Sequence, residues 1–206
     1  MTNKNLVERL NFDGDDVFLD GKVIFSVPHR DTESEINLLG VPQHGRMIYI
    51  GSGKCCYGPI TILDDVGRDG ETPKFRLESF RVPDFNVYDI IPASVDYRKT
   101  GFANGGAILT TGYGCAGSGV RLIDTYYPKT INVVSEEEFQ KIRMRNDPSG
   151  RNYLDKPRLN VNKEQKDIIT LDWLGESKDL TPILKEIGVD VEKTIEVNKG
   201  YTRIRH

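Results

Sequence analysis

The chain is short of the residues that carry most covalent and metal chemistry. Its 206 residues include three cysteines, three histidines and one tryptophan. Cys55 and Cys56 are adjacent and Cys115 stands alone. This offers neither a disulfide framework nor the C-x-x-C spacing of a structural zinc site, so the thiols are expected to be reduced and no metal is expected. His206 is the last residue, which leaves His29 and His44 as imidazole bases. Long apolar runs are also missing. They extend over only a few residues, against the ~18–20 that a helix needs to cross a bilayer. The opening MTNKNLVERLNFDGDD is polar and lacks the apolar core of a signal peptide, so cytoplasmic synthesis is expected. Charge of one sign is absent too: 28 Lys+Arg against 31 Asp+Glu leave a net charge of −3. That balance supplies no general pull toward nucleic acid or an anionic membrane.

Glycine, by contrast, is concentrated. Seven of the twenty residues from Gly101 to Val120, GFANGGAILTTGYGCAGSGV, are glycine. Glycine loses the most backbone freedom on folding, so such density marks positive φ or close backbone approach.

Strand signals dominate the rest. Asp20-Gly21 between Asp15–Leu19 and Lys22–Val27 is the pattern of a two-residue type I′ hairpin. Strand-like runs then recur at Arg46–Ile50, Pro59–Leu63, Lys74–Phe80, Asn86–Ile91, Ala107–Thr111, Gly119–Tyr126 and Thr130–Val134. Long helical patterns do not separate them, which disfavours a parallel α/β fold. The expected class is mainly β: an antiparallel sandwich or barrel, with a short N-terminal helix carrying Leu6, Val7 and Leu10 and a small α+β C-terminal unit. Ser135 and Glu138 form a capping-box pattern before Phe139, Ile142 and Met144, and Pro148 stops that helix near Asn146. The expected division is a main domain over 1–146, a polar linker or extended arm over 147–165, and a small unit over 166–206 docked on the main domain or a partner. In that unit Lys166–Trp173 reads as a strand. Ser177 reads as the cap of a helix ending at Gly188, and Val191–Val197 with Tyr201–Ile204 reads as a hairpin.

Each chemical motif meets a simpler reading. Gly112-Tyr113-Gly114-Cys115-Ala116-Gly117 matches G-x-G-x-x-G, but a dinucleotide site needs a helix next and a strand-like run follows. Gly51-Ser52-Gly53-Lys54 lacks the first glycine of a P-loop, and Cys55 replaces its Ser or Thr. Asp13, Asp15, Asp16 and Asp20 lack the spacing and closing glutamate of an EF-hand. Glu33 and Glu35 read as a charged loop. Tyr97-Arg98-Lys99 and the terminal Tyr201–His206 interleave aromatic and basic residues, a pattern that can stack bases and contact phosphates; against the acidic balance they read as polar surface. The sharpest enzymatic candidate is Cys115 as nucleophile, with His44 as base and Asp64 as orienter. Flanking backbone N–H groups would serve as an oxyanion hole. The order His, Asp, Cys on a β scaffold is compatible with a chymotrypsin-like cysteine peptidase.

With no cofactor pattern complete, the expected role is a non-enzymatic structural or assembly subunit. It is expected to be homo-oligomeric, to act through protein–protein contacts, and to serve as a phage or virus virion component. Nucleic acid and membrane are not expected as partners. An extended arm recovers its ordering cost within such an assembly. The cysteine hydrolase is the alternative, and a small-ligand binder is another, using the backbone at Gly112, Tyr113, Gly114 and Gly117.

Overall fold

The computed structural model describes residues 10–13, 16–26, 36–41, 47–52, 59–69, 72–81, 87–103, 107–112, 117–125, 129–150, 155–161, 168–199 and 204–205. Antiparallel sheets dominate and helices are few. β1 (Leu10–Asp13), β2 (Asp16–Leu19) and β3 (Lys22–Ser26) form a three-stranded meander. Asp20 and Gly21 have φ of 50° and 78°, the two positive values a type I′ turn requires, and Leu19 pairs with Lys22 as the DG signal predicts. β4 (Ile36–Val41), β5 (Met47–Ser52), β6 (Pro59–Asp69) and β7 (Thr72–Arg81) join β15 (Ile204–Arg205) in the order β15-β4-β5-β6-β7. A four-stranded sheet follows, ordered β11-β10-β9-β8, from β8 (Val87–Ala93), β9 (Ala107–Gly112), β10 (Gly119–Asp124) and β11 (Thr130–Val134). The last sheet is β12 (Arg158–Val161), β13 (Ile169–Trp173) and β14 (Glu176–Asp179). The seven strand-like runs of the sequence fall in order on β5 to β11.

The helices are α1 (Tyr97–Thr100), α2 (Glu136–Asn146), α3 (Thr181–Ile187) and α4 (Val191–Lys199). α2 starts as its capping pattern predicts, with Ser135 Oγ accepting from Glu138 N at 3.3 Å. Phe139 and Ile142 are buried, whereas Met144 is 65% exposed, because five residues beyond Phe139 lies off its face.

One hydrophobic cluster joins β8–β11, α2, β12, β13, α3 and α4, through residues such as Ile91, Leu109, Leu122, Phe139, Leu171 and Ile195. All six residues of β9 are buried, so its sequence reads as a continuous run rather than an alternating one. The hydroxyls of Thr110 and Thr111 donate to the carbonyls of Arg121 and Gly119, both at 3.2 Å, which makes their burial tolerable. Within the polar stretch 147–165, Arg158–Val161 is a strand and Leu159 is fully buried.

Three expectations need correction, and a fourth falls mostly outside the described residues. Among the described residues no sheet closes on itself: each has two ends, so the barrel alternative gives way to open sheets. The helix expected around Leu6–Leu10 lies mostly outside the described residues, and Leu10 itself opens β1. Ser177 caps no helix. It belongs to β14, and α3 starts four residues later, where Asp179 Oδ1 accepts from Thr181 N at 2.8 Å. Val191–Val197 is helical rather than a hairpin strand. Val191, Thr194, Ile195 and Asn198 are buried at helical spacing, and Asp190 Oδ1 caps the start by accepting from Lys193 N at 3.0 Å. Gly188 does stop α3, at φ 99°.

Candidate functional site

The glycine-dense stretch runs through the β9–β10 connection. Gly112 ends β9 opposite both Val87 and Gly119. Gly119 has φ 143°, and a Cβ there would sit 2.4 Å from the carbonyl oxygen of Val134, so both of glycine's special uses meet at one residue. Gly117 is buried at φ 149°. β10 runs antiparallel to β9, so the G-x-G-x-x-G pattern is followed by a strand and lacks the helix N-terminus that holds a pyrophosphate. β5 is likewise followed by antiparallel β6 beyond Gly51 and Ser52, where a P-loop needs a helix. Tyr113, Gly114 and Cys115 lie outside the described residues, as does His44. Asp64 stands in β6, in register with Met47 and Arg76.

Two of the buried carboxylates, Asp89 and Asp124, hold backbone. Asp89, fully buried in β8, accepts from Ile90 N at 3.0 Å through Oδ1 and from Leu159 N at 2.8 Å through Oδ2, which fastens β12 to β8. Asp124 Oδ2 accepts from Ala103 N at 2.6 Å. No group of three His, Cys, Asp or Glu side chains among the described residues is placed to share a metal ion. Tyr97-Arg98-Lys99 forms α1, where the Arg98 guanidinium lies 5.7 Å from the Tyr97 ring centroid and Nε donates to the Tyr97 hydroxyl at 3.3 Å. Of the terminal aromatic–basic patch, Ile204 and Arg205 form β15 against β4.

An open cleft of about 450 Å³ lies beside the β13–β14 hairpin, lined by Asp155, Lys156, Arg158, Asp172, Trp173 and Ser177 among others. Its acids are engaged. Asp155 Oδ2 accepts from Leu174 N at 2.8 Å, and Asp172 accepts from Ser177 Oγ at 2.6 Å and from Asn160 Nδ2. Glu176 accepts from Arg145 and from Asn146; the Arg145 hydrogen bond, then that of Asn146, holds its carboxyl below the ordinary glutamate range. Trp173 is stacked on Phe139 at 4.8 Å and only 4% exposed, so its face is closed to a ligand. At one side of the cleft, Glu176 ties the hairpin to Arg145 and Asn146 of α2.

The sheet edges differ more than the clefts do. α4 covers the free edge of β8 and its continuation: Thr194 Oγ1 accepts from Ser94 N at 2.9 Å, and Asn198 Nδ2 donates to the Pro92 carbonyl at 3.1 Å. Backbone bonds from Asp190 N to Ser94 O and from Asp96 N to Gly188 O extend that seam. β15 covers part of β4. β7 pairs with β6 along one side, from Arg81 opposite Pro59 to Thr72 opposite Asp69, and with no other strand among the described residues. At 10 residues it is twice as long as β3 or β11, the next longest strands at sheet ends without a covering element described here. That it pairs with β6 alone among the described residues could not be read from the sequence, although its strand character could. No family model, curated protein or solved structure matches the chain. No helix among the described residues is long and apolar enough to cross a membrane.

Proposed function

We propose that this chain is a non-enzymatic structural subunit that acts through protein–protein contacts in a homo-oligomeric assembly. The observation that carries this reading is β7, which pairs with β6 alone among the described residues; a strand paired on one side is a template for another strand. Native proteins cover such edges, as α4 does for β8, or use them. The engagement of Asp89, Asp124, Asp155 and Glu176 in holding backbone or joining elements supports the same reading. We further infer a sandwich in which the five-stranded and four-stranded sheets face each other, supported by the approach of β4 and β5 to β8.

Light scattering coupled to size-exclusion chromatography at micromolar concentration tests the assembly role. A mass of two or more chains is expected; a strict monomer at every concentration up to ~100 µM, well above the Kd range of stable interfaces, overturns it.

A further inference from the structure

β7, which pairs with β6 alone among the described residues, allows a more specific statement, which rests on the assembly reading above. We infer that two copies of this chain join by antiparallel pairing of their β7 strands about a two-fold axis at Leu77, so that one sheet runs through both. Residues directly opposed in an antiparallel pair point to the same face, and successive residues point to opposite faces. A two-fold axis normal to the sheet must therefore pass at a residue opposed to its own copy. That restricts β7 to a handful of registers.

Charge then separates them. An axis at Arg76 sets Arg76 against Arg76, and one at Glu78 sets Glu78 against Glu78. An axis at Phe75 sets Arg76 against Lys74 twice, and one at Lys74 opposes the two lysines. An axis at Leu77 sets Arg76 of each copy against Glu78 of the other, Phe75 against Ser79, and Leu77 against Leu77. It pairs opposite charges twice, opposes no like charges, and engages nearly the whole strand. An axis at Ser79 also avoids like charges, but it pairs a shorter stretch and gains no ion pair. Opposite-charge cross-strand pairs stabilise a sheet and like pairs destabilise it, so the same residues that favour this register exclude its neighbours. Pro73, without an N–H, falls near the end of the paired segment, where its missing donor matters least. The occupant this pattern fits is thus a second copy of the chain.

Arg76→Glu and Glu78→Arg variants test this by light scattering, alone and as an equimolar mixture. Wild type is expected at twice the chain mass. Each variant alone faces two like-charge pairs and is expected to dissociate, with an apparent dimer Kd raised about tenfold or more. In the mixture, the two acids that the Arg76→Glu chain carries at these positions meet the two arginines of the Glu78→Arg chain, and a one-to-one dimer is expected to return. Glu78 is in register with Ile62 within the chain, so Glu78→Arg is set against no intrachain charge, whereas Arg76 is in register with Asp64. Should Arg76→Glu fail to fold by circular dichroism, cysteine crosslinking decides instead. Leu77→Cys places the two new thiols within disulfide reach and is expected to give a chain-to-chain disulfide on mild oxidation. Ser79→Cys and wild type, with its native Cys55, Cys56 and Cys115, are not. An oligomer whose mass ignores the charge variants, or no Leu77-specific crosslink, overturns this interface and leaves the assembly reading standing. A monomeric wild type removes both.

Discussion

Gly119 shows how a single residue can be fixed by two constraints. Its φ of 143° belongs to glycine, and the carbonyl oxygen of Val134 occupies the space a Cβ would need. Gly119→Ala is expected to destabilise the fold by about 1–3 kcal/mol from the backbone term alone, with further loss from the clash, as measured by urea denaturation. An unchanged midpoint would mean that the β10–β11 junction relaxes freely. Asp89 is a second such residue. Asp89→Ala leaves the buried amides of Ile90 and Leu159 without their acceptor, at about 1–3 kcal/mol for each group left unsatisfied. Glu176 carries a pH dependence. Arg145 and Asn146 lower its folded-state pKa, so the clasp between α2 and the β13–β14 hairpin contributes fully above the ordinary glutamate range and is lost as pH falls through the lowered value. Titration of Glu176 by NMR is expected below the ordinary glutamate midpoint in wild type and closer to it in Arg145→Ala; equal midpoints would remove Arg145 as the cause.

The elements divide by how local their signals are. The Asp20-Gly21 turn and the Ser135 cap each rest on residues within three positions, and both form as the sequence predicts. α4 went the other way. Its β-branched Val191, Thr194, Ile195 and Val197 favour a strand by propensity, but burial at 191, 194, 195 and 198 is a helical stripe facing β8. Asp190, three residues before Lys193, was the available signal for that start. Asp190→Ala is expected to cost about 1 kcal/mol, read as a lower unfolding midpoint, and a neutral effect would mean that Asp190 O alone anchors the first turn. Ser177 misled in the same way: a good capping residue lay in the strand of a hairpin whose turn, Leu174-Gly175, has φ of 51° and 76°.

At the scale of the molecule, the contacts that matter join distant segments. The Asp89–Leu159 bond spans 70 residues, Thr194–Ser94 spans 100 and Asn198–Pro92 spans 106. Because one core joins β8–β11 to α4, their amides are expected to exchange hydrogen with a common opening free energy; early exchange of Thr194 and Ile195 would show that the helix opens by itself. The strand character of β7, with its alternating Lys74, Arg76 and Glu78, was legible in the sequence. That β7 pairs with β6 alone among the described residues was not, because an edge is defined by which other strands arrive.

The sequence alone determined where most strands lie, how the Asp20-Gly21 hairpin turns, where α2 begins and ends, and that antiparallel sheets dominate. These depend on backbone preferences and hydrophobic periods carried by neighbouring residues. Only the tertiary structure decided that Val191–Lys199 is a helix, that Asp89 is a buried fastener, and that α4 covers β8 while β7 pairs on one side among the described residues. Burial and edge position are set by partners about seventy to a hundred residues away, and no local pattern encodes which of them will meet.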